Sequence, residues 1–214
     1  MDFDQPPAPE LLVATGNPHK VREISQILRQ ELDLARLALA SAADYPDVTP
    51  PTEDGDTFEA NALAKARAYA RTTGRLTLAD DSGLMVDHLQ GRPGLQSARY
   101  APSNAERIQR VLAQMREAPR DRRSARFICC VALVDADGQW MTARGTLEGR
   151  ITTRPRGCEG FGYDPIFELI EPPWTGRTAA ELDAAQKNRI SHRARAVRAI
   201  ADRIRDALAH GAIV

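Results

Sequence analysis

Apolar positions recur along this chain at two spacings, and the changes from one to the other mark its elements. Leu11, Leu12 and Val13 form a short run between a proline-rich start and Gly16, which predicts a buried strand over residues 10–15. After a tight loop at 16–20, Val21, Ile24, Ile27 and Leu28 fall on one face of a helix. Residues 34–40 alternate loosely, as a second strand would, and Pro46, Pro50 and Pro51 then enforce a long loop. Helical spacing returns with Phe58, Ala62, Ala66 and Tyr69. The Asp56–Glu59 interval predicts a capping box at the start of a helix over 57–71. Asn61 and Lys65, four apart, share another face of that helix.

A second set of signals covers the rest of the chain. Leu76 to Ala79 reads as a short strand ending in Asp80, Asp81, Ser82 and Gly83, with a further strand over 83–86. Gly91, Pro93 and Gly94 break the chain, and Ser103 is a suitable N-cap for a helix through 117. Residues 125–134 are continuously apolar, as in a central strand; Asp137-Gly138 is a hairpin signal, and 139–151 is the partner strand. Ser191 caps a last helix whose stripe is Val197, Ile200, Ile204 and Leu208. Strands alternating with helices, plus a hairpin, predict an α/β fold with a sheet of mixed direction.

Composition narrows the function classes. A chain of 214 residues with 43% hydrophobic content can bury a sizeable core. Its formal net charge of zero argues against holding long nucleic acid by bulk electrostatics. Cys129, Cys130 and Cys158 have neither zinc-ligand nor disulfide-framework spacing. No apolar run approaches the length of a membrane span, and the acidic, proline-rich start is unlike a signal peptide, so a cytoplasmic protein without a membrane partner is expected. Of 29 basic residues only Lys20, Lys65 and Lys187 are lysines. Against that arginine bias, each retained lysine marks a place where a compact ammonium can matter.

The candidate chemistry clusters at four places. Strand, glycine-containing loop and helix point backbone N–H groups at an anion, and Thr15, Asn17 and Lys20 add a hydroxyl, an amide and an ammonium. An ordinary βα turn reads the same way. Asp80 and Asp81 read either as a turn or as a metal site. Side-chain alternation on a strand sends the two acids to opposite faces, so only one of them can meet a given ligand. Glu53 and Asp54 are loop acids or metal ligands. Gly160-Phe-Gly-Tyr-Asp-Pro165 interleaves aromatics with glycine, giving either a plain turn or a ring on which a base can stack. The segment 187–198 holds five Lys or Arg plus His192 and no acid. His192 and Arg193 fall on a first helical turn, where cations oppose the helix dipole and a ligand with electronegative groups would compensate.

Taken together and in order, five segments resemble the non-canonical purine nucleoside triphosphate pyrophosphatases, the Ham1-like inosine/xanthosine triphosphatases. They are Ala14-Thr-Gly-Asn-Pro-His-Lys20, Glu53-Asp-Gly-Asp-Thr-Phe58 with Asn61 and Lys65, Ala79-Asp-Asp-Ser-Gly83, Gly160-Phe-Gly-Tyr-Asp-Pro-Ile-Phe167, and Lys187-Asn-Arg-Ile-Ser-His-Arg193. All three lysines fall inside them. The resemblance implies an elongated mixed β-sheet flanked by helices, in a single domain over 10–210. That domain would have two lobes with a central nucleotide cleft; residues 1–9 fall outside the resemblance and are expected to form a flexible segment. It implies a homodimeric, Mg2+-dependent enzyme that hydrolyses ITP, dITP and XTP to the monophosphate and pyrophosphate.

Carried over by residue, Thr15, Asn17 and Lys20 would hold the phosphates, with Lys65 adding charge, and Gly16, Pro18, His19 and Ser82 would touch substrate. Phe161, Gly162, Tyr163 and Asp164 would line the base pocket. Lys187, His192 and Arg193 would read the purine edge. Glu53 and Asp81 would bind the metal, with Asp81 also the general base. Ala185-Gln186 departs from the acids usual in that family, outside these contacts. Another metal-dependent nucleotide phosphohydrolase, or a non-catalytic nucleotide-binding module, remains an alternative.

Overall fold

A computed structural model describes residues 10–32 and 37–213. Six strands form one sheet in the order β2-β1-β3-β4-β5-β6. β1 (Glu10–Val13) lies between β2 (Ala38–Ser41) and β3 (Thr77–Val86), parallel to both. β4 (Ser124–Val134), β5 (Trp140–Ile151) and β6 (Phe167–Leu169) continue antiparallel from β3. The mixed sheet expected from the sequence is the one observed.

Helices cover both faces. On one, α1 (Pro18–Leu32) and the long α5 (His192–His210) pack Ile24, Ile27, Leu28, Val197, Ile200 and Ile204 onto Leu11, Val13, Leu78, Val131 and Leu133. Each such side chain, fully buried, contributes about 1.5–3 kcal/mol. On the opposite face α2 (Phe58–Thr73) lays Ala62, Ala66, Tyr69 and Ala70 on Leu12, Ala79 and Ala132. A third cluster, at the far end of the long strands, gathers α3 (Asn104–Gln114), β6 and the aromatics Phe127, Tyr163 and Phe167. The short α4 (Ala184–Ile190) leads directly into α5 through Ser191.

Several sequence expectations shift. The expected break at Asp80–Gly83 is absent: β3 runs unbroken through these residues, with Asp81 opposite Cys130, Ser82 opposite Cys129 and Gly83 opposite Ile128. The two acids therefore sit mid-strand, and Ser82 and Gly83 make no turn. Long antiparallel pairing with the apolar β4 overrides their turn propensity. A Cβ on Gly83 would lie 2.5 Å from the Gly94 carbonyl oxygen, so this glycine lets the 3₁₀ turn over Gly94–Arg99 press against the strand. Likewise a Cβ on Gly145 would lie 2.0 Å from the His192 carbonyl, which seats the start of α5 directly on β5.

The cap of α2 is Thr57, whose hydroxyl accepts from the Ala60 N–H, one residue beyond the expected Asp56. α3 carries the Ser103–Glu106 capping box and ends at Gln114, three residues short of the expected end. β2 begins at Ala38; the expected strand residues 34–36 and the segment 1–9 lie outside the described residues. One of the arginines just before β4 is part of the core. Arg123 is buried and donates to the carbonyls of Met115, Ala118, Ile151 and Thr152, binding the end of α3 to the end of β5.

Candidate active site

The site is built around mid-β3, where alternation divides Asp80 from Asp81. Asp80 points to the α1/α5 face and is wholly buried. Its Oδ2 lies 3.0 Å from Lys20 Nζ and accepts from Arg193 Nε and Nη2, each at 3.3 Å. Burial alone would raise this carboxyl; Lys20, Arg193 and Lys65 outweigh it and hold Asp80 well below the usual carboxylate range. Asp81 points to the α2 face, with Oδ2 accepting from Asn61 Nδ2 at 3.1 Å and Oδ1 lying 3.5 Å from Lys65 Nζ. Here burial prevails over Lys65 and Lys20, and the Asp81 carboxyl is pushed up.

The loop after β1 brings its polar groups to the same place. Asn17 caps α1, its Oδ1 accepting from the N–H groups of His19 (3.0 Å) and Lys20 (3.5 Å). Thr15 Oγ1 accepts from the Asn17 N–H. Capping of this kind fixes the direction in which Lys20 leaves the helix, toward Asp80. Glu53, from the proline-rich loop, is gripped by Lys65 at 2.9 Å and by Arg99 at 2.6 Å. These two cations overcome burial and keep it ionised. Asn61 also accepts from the Gly55 N–H, which ties the Glu53 loop to α2.

Opposite this group stands an aromatic and cationic wall. Phe161 stacks on His19, ring centroids 5.2 Å apart and 19° from parallel. Lys187 Nζ sits 4.7 Å, and the Arg193 guanidinium 5.6 Å, from the Phe161 ring centre. Lys187 is paired with Asp164 at 2.6 Å and with Glu23 at 2.8 Å. Arg193, almost fully buried, is held by Asp80 and by Glu23, and its Nη2 also donates to Ser82 Oγ at 3.0 Å. Asp164 in turn accepts from the Phe161 N–H, which orients the stacking ring. His192 departs from the cationic role expected at the helix start. It is stacked on Phe127 at 4.8 Å, and burial, then Arg193 and Lys187, push it well below its ordinary value, so it is neutral.

Two adjoining cavities result. One encloses about 880 Å³ open to solvent, with Phe161, Lys187, Arg193, Ser82 and Asp81 among its walls. The other is lined by Thr15, Gly16, Lys65 and Arg99 among others. Asn17, Lys20, Glu53 and Ala98 line both. A single elongated ligand can therefore lie with a flat ring beside Phe161 and an anionic tail toward Lys20 and Lys65.

A model of the Ham1 family matches residues 11–203. The chain belongs to the Ham1 family. Its curated relatives include two proteins named dITP/XTP pyrophosphatase. That of Shouchella clausii is 46% identical over 91% of this chain and 96% of its own length. That of Symbiobacterium thermophilum is 44% identical over 94% and 98%. Among solved structures, a HAM1 protein from Coxiella burnetii superposes with a TM-score of 0.80 at 40% identity, covering 92% of this chain and 99% of that one. The family resemblance read from the motifs and the expected mixed α/β sheet are both borne out.

This Ham1 chain gathers nearly every residue singled out in the sequence along the two cavities. Pro18, Asn61 and Asp80 line neither: Pro18 opens α1, while Asn61 and Asp80 stand behind the walls as partners of Asp81 and of Lys20 and Arg193. Tyr163 lines the first cavity, but its hydroxyl is spent on the Ser97 carbonyl. Two participants escaped sequence reading. Glu23 bridges Lys187 and Arg193, and Arg99 holds Glu53. Glu23 lies three residues after Lys20 on the same helix, a spacing that puts the two on neighbouring positions. Nothing local marks it as the partner of residues more than 160 positions away.

Proposed function

We propose that this protein hydrolyses the deaminated purine nucleoside triphosphates ITP, dITP and XTP to the monophosphate and pyrophosphate. The observation that carries this reading is the junction of the two cavities. A stacking ring and purine-edge donors stand at one end, ammonium groups at the other, and a carboxylate of raised pKa lies between them.

Each residue has a task in this reading. Phe161 stacks on the base. Lys187 and Arg193 donate to a 6-oxo group, which is an acceptor in hypoxanthine and xanthine, whereas the 6-amino group of adenine is a donor. A site built on such hydrogen bonds disfavours the wrong edge by up to about 10⁴-fold. Thr15, the backbone around Gly16 and Asn17, Lys20 and Lys65 neutralise the phosphates, which is most of what phosphoryl transfer asks of a protein. Asp81 takes the proton of the attacking water; its raised pKa suits a general base better than the depressed Asp80. Water opens the α–β anhydride, and pyrophosphate leaves.

Glu53 and Asp81 fit Mg2+ as ligands. Both are oxygen donors, and both already converge on one cation, the Lys65 ammonium, at 2.9 and 3.5 Å. When bound, the ion would draw charge from the phosphate oxygens and position water. A homodimer in the cytoplasm, each subunit one two-lobed domain over 10–210, belongs to the same reading. Within the described residues no helix is long and apolar enough to cross a membrane.

The deciding experiment measures pyrophosphate release from ITP, XTP, GTP and ATP, with and without Mg2+. The expected result is release from ITP and XTP only when Mg2+ is present. Orthophosphate as the first product would overturn the reading in favour of another phosphohydrolase. Tight ITP binding without turnover would favour a non-catalytic module.

A further inference from the structure

A second cleft lies at the open end of the β4–β5 pair, away from the turn over 135–139, and shares no lining residue with the first cavity. About 970 Å³ of space, continuous with solvent, is bounded by Arg120, Arg123, Arg150, Arg154 and Arg156 against a single carboxylate, Glu168. Five guanidiniums against one acid is a strong local excess in a chain of zero net charge.

The five differ in how their charge is met. Arg123 is buried and spends its donors on four backbone carbonyls, with burial the only influence on its ionisation; its charge faces the cleft without a carboxylate partner. Arg156 donates to Glu168 at 3.2 Å and to the Gly176 carbonyl at 2.7 Å; its Nε is buried without a hydrogen-bond acceptor, 3.8 Å from the Glu181 carboxylate. The side chains of Arg120, Arg150 and Arg154 make no hydrogen bond or ion pair among the described residues. Three free planar forks beside a buried cation that has no carboxylate partner make a site for an anion with several phosphate-type oxygens. A diphosphate or longer chain offers these forks more acceptor oxygens than a single phosphate does. No aromatic ring lines the cleft, so nothing there can stack on a base.

We propose that this cleft binds an inorganic diphosphate or short oligophosphate, with Arg150 and Arg154 as its principal forks. The site is independent of the reaction proposed above, although pyrophosphate is a product of that reaction.

Titration calorimetry of the full protein, at fixed ionic strength, with pyrophosphate, tripolyphosphate and orthophosphate tests this. Pyrophosphate can also enter the main cleft, so the Arg150→Ser/Arg154→Ser double variant is compared with Lys65→Met. The double variant is expected to lose one binding event or to weaken it by about tenfold or more. Pyrophosphate release from ITP and the melting temperature should stay near the parent values. If the serine variant melts early, Arg150→Lys/Arg154→Lys keeps the charge, removes the forks, and should still weaken binding. Titrations unchanged in both double variants would overturn the proposal. So would loss of all pyrophosphate binding in Lys65→Met alone, or a single-stranded oligonucleotide binding the cleft more tightly than tripolyphosphate.

Discussion

The two faces of β3 present the same residue type, one position apart, in opposite electrostatic states. On the α1/α5 face, Lys20, Lys187 and Arg193 are set against Glu23, Asp80 and Asp164 in a closed, buried network. On the α2 face, Asp81 has an amide and one longer contact to Lys65, and it borders the cleft. The closed face fixes charge and so fixes geometry: it locks Lys187 and Arg193 beside the Phe161 ring. The open face leaves a carboxylate able to change its protonation. Proximity in sequence is a poor guide to function here, because a strand sends neighbours into different solvents.

The contrast can be broken most severely at Asp81. Asp81→Asn should lower turnover on ITP by about 10²–10⁴-fold, the usual worth of a general base, while ITP still binds. Steady-state kinetics paired with calorimetry checks both halves. Unchanged turnover would remove Asp81 from the chemistry.

Asp80→Asn attacks the closed face. It leaves Lys20 and Arg193 without their buried anion, and the expected cost is about 3–5 kcal/mol in denaturant unfolding. The same network predicts a pH dependence. Asp80 and Glu23 have depressed pKa values, so their stabilisation is complete above the ordinary carboxylate range and is lost as pH falls through their folded values. His192, buried neutral, contributes fully above its ordinary value of 6.5 and loses that contribution as pH falls below it. Stability should therefore begin to fall below pH 6.5, before the carboxylates titrate. Unfolding curves across pH with His192→Gln would detect it, since that variant should lack the first decline.

Smaller effects sharpen the division of labour. Lys187→Ala should reduce the preference for ITP over ATP by about 10–200-fold, chiefly through ITP. An equal fall for both substrates would deny it a part in base reading. Lys65→Met removes the cation that pulls Asp81 down, so the acid limb of kcat/KM should move to higher pH. A limb that stays in place would mean that another group sets it.

Much of this was legible before any coordinates. Leu11–Val13, the 21–28 stripe, the apolar β4 with its Asp137-Gly138 turn and the Ser103 cap are local patterns, and each formed at or near its expected place. The misplaced features share a cause. Asp80–Gly83 looked like a turn because turn composition is a local statistic, whereas pairing along all of β3 is a long-range constraint. No local pattern marks Arg123 as buried; its acceptors come from the ends of α3 and β5. Glu23 was invisible for the same reason.

The sequence by itself determined the alternation of strand and helix, the family motifs and the opposite facing of Asp80 and Asp81. These depend on local backbone period and on residue order. Only the tertiary structure decided which carboxylate is neutralised by Lys20 and Arg193 and which is raised by burial. It also decided that His192 is neutral and that Glu23 and Arg99 complete the site. Ionisation and pairing are set by distances across the fold and by loss of water, and neither quantity is written in residues adjacent along the chain.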